Sequence, residues 1–435
     1  MDTVLRRAAL IVFALTLAGC SRPAPDPNAP VLYEGARLIL GDGTAPIEDS
    51  AFLVEKGEFR SVGKRGSIEA PADATRIDLK GKTVMPALVD AHAHLGWTLV
   101  REGRTDTDTY SKANLADHLR RYAFYGIAAV RNLGIDPGDA AYELRANPTP
   151  GAALLQIAGR GIAMPNAGPG QLYWRPVAYG VSTEAEARAA VRELAAKKAN
   201  IIKMWVDDRN GTVKKLTPEL YAAIIDEAHK NNLKAVAHIF YLADAKGLVR
   251  AGIDGFAHGV RDIDVDDEFL KLMKEHPQVW MIPNLPDRGT SAADLEFAAE
   301  SLPPAQLQRL RDNPTQPNME LYNVQARNLA KVSAAGVKVG FGTDTRENVG
   351  WAAHQELADM VNAGMTPAQV LVAATKVAAE TMGEPKLGEI ATGKSANFLV
   401  LDANPLDDIT NTRRISQVYL NGNALDRAAM QAEFT

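Results

Sequence analysis

Apolar and polar positions alternate in short runs near both ends of the chain. From Val31 to Thr83 they read VLYEGARLILGDGT, SAFLVEKGEFRSVG and TRIDLKGKTV, each broken by glycine. A period of two between turn residues predicts half-buried strands. The same texture returns in LGEIATGKSANFLVLDAN and ISQVYLNGN. These two distant segments are expected to meet as one small β-sandwich. Between them, continuous apolar runs alternate with amphipathic stretches. Candidate strands are Val84 to Val89, Gly126 to Val130, Ala153 to Ile157, Ile201 to Val206, Ala235 to Ala237, Gly255 to Ala257, Val279 to Pro283 and Val337 to Phe341. The stretches between carry helix start signals. Thr183 with Glu186 makes a capping-box pattern. Thr217-Pro218 and Thr366-Pro367 place an N-cap residue before proline at the first helical position. Eight strands alternating with helices predict an α/β fold, a (β/α)8 TIM barrel. The expected division is a composite sandwich from 31–83 and 388–430, and a barrel over 84–387.

The N-terminus follows a different pattern. Arg6 and Arg7 precede the apolar run Ala8 to Leu17, which is too short to span a bilayer. It ends in Leu17-Ala18-Gly19-Cys20. Small residues before a cysteine resemble a bacterial lipoprotein signal, with 1–19 removed and Cys20 lipidated. The next residues, 20–30, are rich in proline and read as an extended tether. Ser21, where aspartate is absent, resembles outer-membrane sorting and implies the periplasmic face of that membrane. Cys20 is the only cysteine, so no intrachain disulfide can form. An ordinary secretory signal with a chance cysteine is the plainer alternative.

The 435 residues are 46% hydrophobic and 23% charged, ordinary for a globular chain. A net charge of −5, with no basic stripe, argues against nucleic acid as a partner. A small-molecule substrate fits better. Membrane contact is expected only through the lipid anchor, and self-association into an oligomer is compatible with the sequence.

Candidate chemistry falls at strand ends. His92 and His94 sit one residue apart after the first apolar run, so in a strand they face one way. Lys203 lies in IIKMWV, His238 ends KAVAH, His258 ends GFAHG, and Asp344 follows VGFGT. A barrel gathers such ends at one rim. Imidazole and carboxylate suit zinc and similar divalent ions. A lysine among cations makes sense if it loses its proton on burial and captures carbon dioxide. The resulting carbamate on Lys203 could bridge two metals.

This ordered set resembles the amidohydrolase superfamily: AHAH, Lys203, His238, His258 and GTD in sequence, followed by GMTPAQVLVAATKVAAETMG and LGEIATGKSANFLVLDANPLDDI. The resemblance runs from Val31 to Arg427, with Ala87 where the family often has glycine. It implies two divalent metal ions, most simply zinc. His92, His94 and Asp344 would hold one, His238 and His258 the other, and carboxylated Lys203 would bridge them. Within the superfamily the chain is similar to binuclear dipeptidase-like and imidazolonepropionase-like proteins. Mononuclear deaminases carry glutamate where Tyr241 stands here, which argues against deamination. The implied reaction is hydrolysis of a C–N amide bond in a dipeptide or N-acyl amino acid by a bridging hydroxide. Asp344 would act as base and then as acid. A lactone or cyclic amide would suit the same machinery. A lipoprotein binding module without catalysis is the alternative of another class.

Tyr241, Arg131 and Arg261 stand near strand ends and are candidate substrate contacts. The other histidines read as structural. His118 lies on a helix with an apolar stripe, His229 and His276 near helix C-termini, and His354 on a helix surface. The stretch GRGIAMPNAGPG lacks the spacing of a phosphate cradle and reads as a loop covering substrate.

Overall fold

The computed structural model describes residues 29–285, 288–345 and 347–435. The expected leader, Cys20 and the tether up to residue 28 lie outside the described residues. No helix among the described residues is long and apolar enough to cross a membrane.

The alternating N-terminal runs form two small sheets. One joins Glu58–Lys64, Ser50–Glu55, Val31–Glu34 and Thr75–Asp78 in that order. The other joins Arg37–Leu38, Thr83–Pro86, Phe398–Leu401, Ile415–Leu420 and Asn423–Ala424. They share one aromatic core. Tyr33 stacks on Phe52 at 4.9 Å between ring centroids, Phe398 stacks on Tyr419 at 4.3 Å, and Tyr33 meets Phe398 edge-on at 5.3 Å. Offset and edge-on ring pairs add to the burial of large apolar area. They bind the two ends of the sequence to each other.

The middle of the chain is parallel. Leu154–Ile157, Ile127–Asn132 and Leu88–Ala93 form one sheet. Tyr179–Gly180, Ile162–Ala163, Ile202–Val206, Ala235–Ile239, Gly255–Phe256, Trp280–Met281 and Lys338–Val339 form another, in that order. Backbone N–H groups of Ala91 and Thr343 donate to the carbonyls of Phe341 and His92, at 3.0 and 2.9 Å. They tie the last parallel strand to the first. Helices fill most of the connections. Glu184–Ala196 opens on the expected Thr183–Glu186 capping box, and Pro367–Val372 on a Thr366–Gln369 box. Thr217 makes no side-chain cap bond to its helix, Pro218–Lys230.

Three expectations change. Val84 to Val89 is not one strand: Thr83–Pro86 pairs antiparallel with Phe398–Leu401, and Leu88–Ala93 enters the parallel sheet. Pro86 has no N–H to donate, so it ends the first strand, and the Ala87 N–H bonds the Asn397 carbonyl as the chain changes sheets. The boundary at residue 84 therefore falls too early. The Gly-rich stretch is not all loop, since Ile162–Ala163 pairs beside Ile202–Val206. His354 is not on a helix surface. It is fully buried, with Nε2 at 2.9 Å from the Tyr125 carbonyl and Nδ1 at 3.0 Å from the Thr412 hydroxyl.

Candidate metal centre

The first and last parallel strands meet at Asp90. Its Oδ1 accepts the N–H groups of His92 (3.0 Å) and Thr343 (3.1 Å), and its Oδ2 accepts the Thr343 hydroxyl (2.7 Å). Burial pushes this carboxyl up to about 7 against those bonds. Gly342 permits the close approach, because a Cβ there would lie 2.7 Å from the His92 Cβ. Beyond it, Asp344 sits in the left-handed region at φ +52°. A non-glycine residue held there is strained, and such strain gathers at functional sites. The result turns the Asp344 carboxylate toward the imidazoles.

His94 Nε2 lies 2.9 Å from Asp344 Oδ1, and His92 Nε2 lies 3.2 Å from the same oxygen. One ligand atom from each of these three residues falls within 4.8 Å of the others. His258 Nε2 is 3.9 Å from Asp344 Oδ2. Its ring centroid is 5.1 Å from that of His92 and 4.5 Å from that of His238. The Lys203 Nζ is buried with no hydrogen-bond partner among the described residues. Gly134, at φ +90°, leaves room for it, since a Cβ there would lie 2.8 Å from the Lys203 Cγ. His92, His94 and Asp344 thus converge, with the His258 and His238 rings next to them.

Electrostatics follow from burial. Burial lowers Lys203 to about 7, Asp344 opposes the shift, and the guanidinium groups of Arg261 and Arg209 add to it. Burial also holds His92, His238 and His258 well below the usual imidazole value. For Asp344 burial acts upward, yet His92, His94 and Lys203 outweigh it and hold the carboxylate well below its normal range. Neutral imidazoles at His92, His238 and His258 and an ionised carboxylate at Asp344 are what a metal requires of its ligands.

Neighbours fix the rings. His92 Nδ1 lies 2.7 Å from Asn284 Oδ1, and Asn284 Nδ2 donates to the Gly342 carbonyl at 2.6 Å. An amide oxygen accepts only, so Nδ1 carries the proton and the Nε2 lone pair points inward. That Nε2 makes no hydrogen bond among the described residues. His238 Nε2 lies 2.9 Å from Asp207 Oδ2, and Asp207 also meets Arg209 Nη1 at 3.0 Å. Asp207 and Asn284 escaped the sequence reading. Asp207 directly follows the strand Ile202–Val206, a signal that could have found it. Asn284 offered none, for its role depends on a ring almost two hundred residues away. The buried unpartnered nitrogens of His92 and Lys203 beside an ionised carboxylate fit divalent cations.

The substrate candidates fare differently. Arg261 lies at the site, with Nη2 3.1 Å from His238 Nε2 and bonded to the Ile239 carbonyl at 2.6 Å. Arg131 does not serve as expected. Its guanidinium is buried and engaged with Gln156 Oε1 (2.9 Å) and the Thr381 carbonyl (3.0 Å), so it braces strands against a helix. Tyr241 donates its hydroxyl to Asp208 Oδ1 at 2.6 Å, on the loop after Asp207. The segment after the Gly-rich stretch brings Trp174 over His94, at 5.7 Å between centroids, and against Trp97 at 5.8 Å. It covers one side of the cluster. On the other side opens a cleft of about 530 Å³, lined by His258, Arg261, Asn284, Gln325, Asp344 and Glu356 among others.

A profile of the Amidohydrolase family matches residues 83–425. Ochratoxinase from Aspergillus niger is 28% identical over 422 residues, covering 87% of this chain and 82% of that protein. Imidazolonepropionase from Deinococcus radiodurans is 26% identical over 404 residues, covering 87% and 92%. The crystal structure of a Xaa-Pro dipeptidase with methionine bound in its active site superposes with a TM-score of 0.72 at 23% identity. It covers 91% of this chain and 100% of the other. These likenesses imply a (β/α)8 barrel domain, to which the consecutive parallel strands conform.

Proposed function

Since the chain belongs to the amidohydrolase family, we propose that it is a metal-dependent hydrolase cleaving a C–N amide bond of a small dipeptide or N-acyl amino acid. The observation that carries this reading is the convergence of His92, His94 and Asp344 beside the unpartnered Lys203 Nζ. His92, His94 and Asp344 would hold one divalent ion, most simply zinc, and His238 and His258 a second. Lys203 would bridge them after its neutral amine adds carbon dioxide and releases a proton. When bound, the ions lower the pKa of a water from ~15.7 toward ~7, so that hydroxide is available at neutral pH.

The chain's own residues do the rest. The Asp344 carboxylate, kept ionised by its imidazole neighbours, accepts the proton of the attacking water. It then delivers that proton to the departing amine. Asn284 and Asp207 hold the His92 and His238 rings in one orientation, so no reorganisation accompanies the reaction. Trp174 and Trp97 keep bulk water from the His94 side.

The same reading takes the small sheets as a composite β-sandwich beside the barrel. It also takes Cys20 as a lipidated anchor at the periplasmic face of an outer membrane, on the strength of Arg6, Arg7, the apolar run Ala8 to Leu17, Leu17-Ala18-Gly19-Cys20 and Ser21. Assays of the metal-loaded chain on dipeptides, N-acyl amino acids, lactones and cyclic amides test the reaction. Release of amine from an acyclic amide is the expected result. A chain that binds metal and leaves every acyclic amide intact contradicts it.

A further inference from the structure

One guanidinium joins the segment that covers the cluster to the carboxylate that orients a metal-site ring. Arg209 Nη1 lies 3.0 Å from Asp207 Oδ2, and the same oxygen lies 2.9 Å from His238 Nε2. On its other side, Arg209 Nη2 donates to the Gly168 carbonyl at 2.8 Å. Gly170 lies close by, since a Cβ there would be 3.9 Å from both terminal nitrogens. The backbone is bent to bring this about. Arg209 and Asn210 both occupy the left-handed region, at φ +52° and +57°, and the Arg209 N–H returns to Asp207 Oδ1 at 2.8 Å. Two consecutive non-glycine residues held there are strained, and such strain gathers at functional sites.

The covering segment is built as an element that can lift. Asn166 (φ +61°) and Gly168 (φ +99°) turn the chain into it. Arg175 closes it on itself through the carbonyls of Asn166 (3.2 Å) and Pro169 (3.3 Å). It carries the exposed Leu172 and borders a cavity of about 450 Å³, lined by Met164, Pro165, Pro176 and Ala178 among others. Short segments of this kind open and close over sites. The inner side reaches the cluster through Trp174, beside His94. His238 Nε2 faces Asp207, so Nδ1 is the nitrogen this ring can offer a metal. How firmly Asp207 holds the ring depends on Arg209, and Arg209 keeps both its contacts only while Gly168 lies against it. We propose that Arg209 is a positioning residue that couples closure of residues 166–178 to the orientation of His238. The closed segment favours the ring orientation that binds metal, and bound metal keeps the segment closed, because such coupling is reciprocal. This inference rests on His238 as a metal ligand of the proposed hydrolase and adds how that site is closed.

Amide hydrogen exchange across 166–178, read by mass spectrometry on the full chain with and without zinc, tests the coupling. It is measured on wild type and on Arg209→Lys and Arg209→Met. Lysine keeps the charge but reaches with one nitrogen where the guanidinium reaches with two, and methionine keeps an apolar stem without any donor. Zinc is expected to slow exchange of this segment in wild type by about 5- to 150-fold, the usual range for coupled sites. In both variants zinc should change it little. The variants should also hold zinc more weakly in a chelator competition, by a factor similar to the protection lost. An arginine that merely braced the loop would, when replaced, speed exchange equally with and without zinc and leave the zinc effect intact. Variants that keep the wild-type zinc effect, or a zinc-loaded wild type whose segment exchanges as fast as without zinc, overturn the inference and leave the hydrolase reading standing. A wild-type chain that takes up no zinc or other divalent ion overturns both.

Discussion

Asn284 Oδ1 stands 2.7 Å from His92 Nδ1 and sets which nitrogen of that ring faces the cluster. Removing such a partner typically lowers metal affinity or activity by ~10- to 100-fold. Asn284→Ala is expected to lower metal retention by that order in a chelator competition, with the circular dichroism spectrum unchanged. Retention equal to wild type would mean that the ring is oriented by other contacts.

Gly134 occupies φ +90°, and a Cβ there would also meet Trp205 Cη2 at 2.8 Å. Gly134→Ala combines a left-handed backbone with overpacking against Lys203 and Trp205. It should destabilise the chain by about 1–3 kcal/mol. It should also reduce activity beyond the unfolded fraction, by displacing the lysine. Urea denaturation and specific activity, measured on the same preparation, separate the two effects.

Two buried histidines outside the cluster make stability sensitive to acid. Burial lowers His118 to about 4 and His354 to about 3, so both stay neutral in the fold. Unfolded chains bind those protons below about 6.5. The stability these residues contribute is therefore complete above that pH. It is lost as pH falls through the window down to about 4 for His118 and about 3 for His354. Asp136 acts with the opposite sign. Burial raises it to about 7, so its contribution is present in acid and lost as pH rises from 3.8 to about 7. Asp136→Asn should accordingly show a steeper loss of stability on acidification from pH 7 to 5 than wild type. Denaturant midpoints across that range check it, and a shallower slope would contradict the sign.

Much of this site was legible in the sequence for a simple reason. His92, His94, His238 and His258 sit at or next to strand ends, and strand periodicity tells which way such residues face. Lys203, inside the strand Ile202–Val206, and Asp344 in its Gly-rich run followed by order along the chain. What stayed hidden depends on contacts between distant segments. Asn284 matters only because His92, distant in sequence, lies beside it. Arg131 read either as structural or as a substrate contact because a strand-end arginine can turn to either face, and here it turns to Gln156 and Thr381. The sheet change at Pro86 was missed because its apolar run is unbroken on both sides.

The account stands on Lys203 joining four imidazoles and one carboxylate in holding a pair of cations. The most direct measurement is the metal-to-protein ratio of the reconstituted full chain and of Lys203→Ala, by plasma mass spectrometry alongside the hydrolytic rate. About two divalent ions per wild-type chain, and loss of both bound metal and rate in the variant well beyond ~100-fold, are predicted. A wild-type chain that binds no metal, or a Lys203→Ala variant that keeps its metal and its rate, would contradict it.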